Sequence, residues 1–174
     1  MSLLLLNLIL LGIILFLLVV LSWVWPPDSP WAPWWRTNKK VARAMCKLAK
    51  VTQRDTVYDL GCGDGTALLI AVKEFGAKGV GIEIDPLRYW IAKVRAKINC
   101  VSDRVIFRRK NFFDEDLDLA TVIFVYLVPK TLSRLQIKFQ NELQKNTKIV
   151  SYRYQMNLPL VDKDKKHQLY LYKV

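Results

Sequence analysis

The chain has 174 residues, 27 of them Lys or Arg against 15 Asp or Glu, for a formal net charge of +12. Cys46, Cys62 and Cys100 are odd in number with no C-x-x-C spacing, and His167 is the single histidine. No disulfide framework, zinc site or Ser-His-Asp set is therefore expected, and no metal ligands are assigned; reduced cytoplasmic thiols fit.

The first element is Leu3 to Trp25, "LLLLNLILLGIILFLLVVLSWVW", which carries no charge. As a helix rising about 1.5 Å per residue it reaches roughly 34 Å, enough to cross a hydrocarbon core of about 30 Å. The run exceeds the signal-peptide core of about 7–15 residues, and it lacks both a basic leader and an A-x-A site. Residues 1–25 are expected to form a retained transmembrane anchor in contact with the lipid bilayer. Residues 26–36, with "PPDSP" and "APWW", read as a stiff Pro- and Trp-rich neck. Trp23, Trp25, Trp31, Trp34 and Trp35 suit the headgroup layer. Arg36, Lys39, Lys40, Arg43, Lys47 and Lys50 follow the apolar run, so the positive-inside rule predicts a single-pass protein with its C-terminal domain in the cytoplasm. A basic domain beside a membrane attracts anionic lipid, acidic protein or nucleic acid, and much of the charge also reads as solvated helix surface. No interleaved aromatic and basic signature favours nucleic acid.

Residues 37–174 read as one α/β domain. "TNKKVARAMCKLAKV" places Val41, Ala44, Met45, Leu48 and Ala49 on one helical face. "TVYDLG" predicts a strand, "GTALLIAVKEFG" a helix ended by Gly76, "KGVGIEID" a second strand, and Pro86 opens the helix "PLRYWIAKVRAKIN". "RVIFRRKNFF" and "ATVIFVYLV" predict two more strands, "PKTLSRLQIKFQNEL" a helix, and "TKIVSYRY" and "HQLYLYKV" the last strands. Strands alternating with helices imply βαβ units and a mostly parallel sheet.

The turn after the first predicted strand, "VYDLGCGDGT", carries the chemistry. A dinucleotide-binding G-x-G-x-x-G turn brings amides against a pyrophosphate, which an acid at the strand end would repel. Here Asp59 stands two residues before Gly61, and Gly63 and Gly65 follow. This arrangement suits a ligand with a cationic amine and no phosphate, such as S-adenosyl-L-methionine. Glu83, at the end of the second predicted strand, is placed to accept hydrogen bonds from two ribose hydroxyls.

"VYDLGCGDG", "GVGIEIDP", "NFFDEDL", "ATVIFVYLVP" and "LQIKFQNELQKNTKIVSYRYQM" resemble the class I S-adenosylmethionine-dependent methyltransferases. The likeness is closer to small prokaryotic relatives of the membrane-anchored protein-lysine methyltransferases of mitochondria, and runs from about Thr37 to Met156. It implies a Rossmann-like fold with the cofactor over the carboxyl ends of the first strands. On matching positions it implies that Asp59, Gly61, Cys62, Gly63 and Gly65 form the methionine-side turn, and that Glu83 and Ile84 meet the ribose and its surroundings. Asn111 and Phe112 fall at the adenine, and Thr37 where an upstream segment closes over the methionine. "VYLVP" falls at the methyl-transfer mouth, with Tyr126 and Pro129 as catalytic candidates. Tyr126 also reads as a packed strand aromatic and Thr37 as a helix cap.

Two features depart from the family. Thr66 stands where an arginine is common, and the chain after Met156 is too short for the usual strand, helix and hairpin, so the sheet is expected to lack a strand at that edge. The resemblance implies methylation of a lysine on a protein in or beside the membrane. A lipid or quinone, an RNA, or a non-catalytic role binding S-adenosylmethionine at the membrane are the alternatives.

Overall fold

The computed structural model describes residues 3–24 and 35–174. The chain divides into two compact units, Met1–Trp31 and Ala32–Val174. The first contains helix α1 (Leu3–Val24), whose residues from Leu3 to Val20 are exposed and have a mean hydropathy of 3.3. The side chain of Trp23, the residues Trp25, Trp31 and Trp34, and neck positions 26–34 lie outside the described residues.

The second unit runs α2 (Lys39–Leu48), β1 (Thr56–Leu60), α3 (Thr66–Phe75), β2 (Lys78–Ile82), α4 (Pro86–Ile98) and β3 (Val105–Arg108). A 3-10 turn (Phe112–Asp114) precedes β4 (Val122–Val125), α5 (Pro129–Glu142), β5 (Lys148–Tyr152), β6 (Leu160–Asp164) and β7 (Leu169–Lys173). The strand order is β3-β2-β1-β4-β5-β7-β6. Strands β1 to β5 are parallel, and β7 is antiparallel to both β5 and β6. The order reverses beside β1, where Leu60 is in register with Ile82 on one side and Val125 on the other. A crevice at the carboxyl ends of such strands is where open α/β sheets bind ligands.

The period of two along each strand divides the core. Val57, Phe124 and Val150 meet Leu68 and Val72 of α3 and Met45 of α2 on one face, whereas Leu60, Ile123 and Ile149 meet Leu132, Leu135 and Phe139 of α5 on the other. Strand β2 needs its glycines for closeness of packing: a Cβ on Gly81 would lie 2.7 Å from the Phe107 ring, and one on Gly79 2.8 Å from Val72 and Val105.

Helix starts follow the local chemistry. Asn38, rather than Thr37, caps α2 by accepting from the Lys40 amide at 2.8 Å, and Asp85 caps α4 by accepting from the Arg88 amide at 2.8 Å, with Pro86 next.

Three expectations change. Strand β3 ends at Arg108, because Asn111 turns the chain into the 3-10 turn by accepting from the Phe113 amide at 3.1 Å. Strand β4 ends at Val125, leaving Tyr126 beyond the ladder. The sheet also keeps its seventh strand. Strand β6 reads "LVDKD" and is largely exposed at the sheet edge, so it has no apolar alternation to reveal it. Residues 153–159 replace the usual helix with a short link, held where the Met156 amide donates to the Tyr172 hydroxyl at 2.9 Å and Gln136 donates to the Asn157 carbonyl at 2.6 Å.

Candidate active site

Asp59 is the penultimate residue of β1, and the chain beyond it folds back across the end of β2. The Gly61 and Cys62 amides both donate to the Ile82 carbonyl, at 2.9 and 3.0 Å. Gly61, Gly63 and Gly65 have φ of +78°, +55° and +75°, the left-handed region in which a side chain is strained. Gly61 also sits against Leu127, which follows Tyr126. Glu83 completes the turn: one carboxylate oxygen accepts from the Gly63 amide at 2.8 Å and the other from the Asp85 amide at 2.9 Å. Each oxygen retains a lone pair for a ligand hydroxyl.

Three acids are buried together here. Asp59, Asp64 and Glu83 are 7%, 6% and 6% exposed. Burial, reinforced by Glu83 and Asp64, pushes the Asp59 carboxyl up to about 7. Burial also raises Glu83, against the lowering effect of its two backbone amides. The Cys62 thiol, nearly as buried, is pushed well up by desolvation and then by Asp59 and Glu83, so it stays a neutral packing group. Such a pocket favours a ligand bringing donors and positive charge and disfavours a pyrophosphate. The amine and the paired ribose hydroxyls of S-adenosylmethionine fit that requirement.

Asp64 has its own cations. Arg36 Nε lies 2.7 Å and an Arg95 terminal nitrogen 2.6 Å from its carboxylate. The same Arg95 nitrogen donates to the Asp64 carbonyl at 2.6 Å and to Thr66 Oγ1 at 2.8 Å. A guanidinium thus does reach the turn, from α4 instead of from position 66. Sequence reasoning missed Asp64, Arg36 and Arg95: 31 residues separate Asp64 from Arg95, and nothing local marks the pairing.

The remaining candidates are distributed around this edge. Ile84 is 40% exposed just past β2, beside Glu83, whose amide donates to the Arg108 carbonyl at the end of β3. Asn111 and Phe112 follow β3, with the Phe112 and Phe113 ring centroids 4.9 Å apart. Thr37 lines a shallow depression with Arg36, Asn38 and Thr66. Pro129 is exposed at the first position of α5.

Tyr126 belongs to an aromatic group that the sequence did not reveal. Its ring centroid lies 4.3 Å from that of Tyr152, which ends β5. The Arg153 guanidinium carbon lies 5.7 Å from the Tyr126 ring, 5.6 Å from Tyr152 and 5.2 Å from Trp35. Trp35, which the sequence suggested for the headgroup layer, thus contacts Arg153 within the domain. Register puts the group beside the glycine turn, since Leu60 aligns with Val125 and Val125 with Ser151. Burial raises the Tyr126 phenol while Arg153 opposes the shift. It stays protonated near neutral pH.

This strand order, with an acid before the glycine turn and a second acid at the end of β2, defines a class I S-adenosylmethionine-dependent methyltransferase. The model of one family, the ANTKMT methyltransferase domain, matches residues 59–160. A protein-lysine N-methyltransferase of Saccharolobus islandicus (strain REY15A) is 36% identical over 84% of this chain and 94% of its own length. An ATP synthase lysine N-methyltransferase of Xenopus laevis is 26% identical over 72% of this chain, which spans 53% of that relative. Among solved structures, an RNA methyltransferase from Salinibacter ruber, in complex with S-adenosyl-L-homocysteine, is 36% identical with a TM-score of 0.75, covering 80% of this chain and 93% of that one. The chain belongs to the ANTKMT methyltransferase family, and its cofactor is S-adenosyl-L-methionine.

Proposed function

We propose that this enzyme is a membrane-anchored protein-lysine methyltransferase whose substrate lies in or beside the bilayer that holds α1, with the catalytic domain on the cytoplasmic side. The observation that carries the lysine reading is the set of Trp35, Tyr126 and Tyr152 rings around one guanidinium. Aromatic faces attract a cation within about 6 Å, and a lysine side chain approaches as one. The Saccharolobus and Xenopus relatives, both described as lysine methyltransferases, support the same class. The charge-free α1 and the cations after it support the anchor and its orientation.

S-adenosylmethionine, when bound, supplies an electrophilic methyl group on a sulfonium. The chain's residues do the placing. Asp59 pairs with the cofactor amine, Glu83 accepts from the ribose hydroxyls, and Ile84, Asn111 and Phe112 flank the adenine. Thr37 and its segment close over the methionine end. The substrate lysine takes the place that Arg153 holds among the rings. Enclosure by these rings lowers the ammonium pKa, and its proton leaves to water. The Tyr126 oxygen then accepts an amine N–H, which leaves the nitrogen lone pair free to point at the methyl carbon. Alignment at about 3–3.5 Å accounts for most of the acceleration such a transfer needs.

RNA is a second reading, favoured by the description of the Salinibacter ruber structure. The full chain, incubated with labelled cofactor and membranes, is expected to place label in methyllysine of a membrane protein. Label that nuclease releases would replace this reading with the RNA one.

A further inference from the structure

Helix α4 turns an apolar face away from the protein. Leu87, Trp90, Ile91, Val94 and Ile98 are 52%, 58%, 38%, 51% and 74% exposed. They recur at i, i+3, i+4, i+7 and i+11, which is one helical stripe. Ala92 and Ala96 are the buried residues of α4 and lie on the opposite side. The helix thus packs on the sheet through two methyl groups and presents its large side chains to the outside, the reverse of an ordinary surface helix.

Its charges are all of one sign. Arg88, Lys93, Arg95 and Lys97 are the ionisable side chains of α4 besides Tyr89, and none is acidic. Arg95 turns inward to Asp64, while Arg88 flanks one side of the stripe and Lys93 and Lys97 flank the other. Lys93 Nζ lies 5.1 Å from the Trp90 ring centroid and 5.4 Å from Tyr89. An apolar stripe with tryptophan in it and cations along both flanks is the composition of a helix that lies in a membrane interface.

We infer that α4 is a second membrane contact, lying flat in the headgroup layer of an anionic bilayer with Trp90, Val94 and Ile98 turned into it. The inference rests on the anchored reading above, since it takes the bilayer entered by α1 as the one α4 meets. Positive flanks complement anionic headgroups, each cation near such a surface contributing about 1 kcal/mol. A protein partner fits less well. Five side chains on a helix about 20 Å long fall short of the roughly 800 Å² per partner that stable protein interfaces bury. The contact would fix the rotation of the domain about its tether. Because α4 starts immediately after Glu83 and Asp85, it also ties the cofactor side of the sheet to the membrane surface.

The test uses the full chain in nanodiscs of phosphatidylcholine with phosphatidylglycerol, in a Cys100→Ser background; Cys46 and Cys62 are buried. Nitroxide labels are placed singly at Val94→Cys, Ile98→Cys, Lys163→Cys on the opposite sheet edge, and Ile14→Cys in α1. Relaxation by oxygen, which concentrates in lipid, is compared with relaxation by a water-soluble nickel chelate. The labels at 94 and 98 are expected to show an oxygen-to-nickel ratio several-fold above that at 163, falling when phosphatidylglycerol is omitted. A ratio at 94 and 98 equal to that at 163 overturns the inference, and so does spin–spin broadening between 94 labels, which would put a second copy on the stripe. The label at 14 reports the anchor separately. In lipid at 14 and in water at 94 and 98, the result removes the α4 contact and leaves the anchored reading intact; in water at 14, it removes the anchor.

Discussion

Glu83 accepts the Gly63 amide at 2.8 Å, so the acid that ends β2 also holds the glycine turn that follows β1. Its second oxygen holds the Asp85 amide at 2.9 Å, at the start of α4. One side chain therefore joins three segments around the ligand. Glu83→Ala is expected to lower cofactor affinity by about 10- to 100-fold, from the loss of charge-assisted bonds of about 1.5–3 kcal/mol, and to lower the melting temperature as well. Glu83→Gln, which keeps an acceptor on the turn, should lose less of both. Calorimetry and thermal unfolding of the two variants separate these effects, and wild-type affinity in Glu83→Ala would remove this residue from the site.

Asp59 makes cofactor binding pH-dependent. Its carboxyl is held up to about 7, so near neutrality the ligand-free site is partly protonated. A cationic amine pairs with the ionised form, so affinity should fall as pH drops below about 7, approaching tenfold per unit. Asp59→Asn should bind more weakly at pH 8 and show a flatter profile. A wild-type profile as flat as that of the variant would contradict this pairing.

The same group affects stability in the opposite direction. Folding raises the Asp59 pKa from 3.8 to about 7, so the folded protein holds more protons than the unfolded chain between those values. Its contribution is greatest at low pH and declines as pH rises from about 4 toward 7. Ligand-free Asp59→Asn should accordingly gain in melting temperature relative to wild type over that interval. A difference that stays constant with pH would show that Asp59 titrates normally.

The aromatic group separates substrate binding from cofactor binding. Trp35→Ala and Tyr126→Ala are each expected to raise KM for a lysine peptide by roughly 2- to 30-fold, the worth of a cation–π contact of about 0.5–2 kcal/mol, with cofactor affinity unchanged. Tyr126→Phe keeps the ring and loses the oxygen, so it should lower kcat while leaving KM near wild type. Unchanged kinetics in all three variants would leave Tyr126 as a packing residue.

Gly81 tests the packing beneath the site. A Cβ there would sit 2.7 Å from Phe107 and 2.9 Å from Cys62 Sγ. Gly81→Ala is expected to cost about 1–3 kcal/mol, the range for overpacking, read from the denaturation midpoint. A neutral result would mean that Phe107 swings aside without cost.

Features that depend on local pattern could be read from the amino acids directly. Strand and helix periods, Pro86 at a helix start and Gly76 at a helix end are set by residues within a few positions of one another, and each is found where the pattern places it. The glycine turn with Asp59 and Glu83 was legible for a related reason: the chemistry of a turn and a strand-end acid is written in short segments at fixed offsets. Strand β6 was not legible, because an exposed edge strand is specified by its partner β7 and not by burial of its own side chains. The ends of β3 and β4 were likewise set by where neighbouring strands stop pairing. Folding in three dimensions was needed to bring Arg95 to Asp64 and to gather Trp35, Tyr126, Tyr152 and Arg153, which come from three separate parts of the chain. It also turned the apolar residues of α4 outward, since the helical period determines which residues share a face, while the packing of the sheet determines which face is covered.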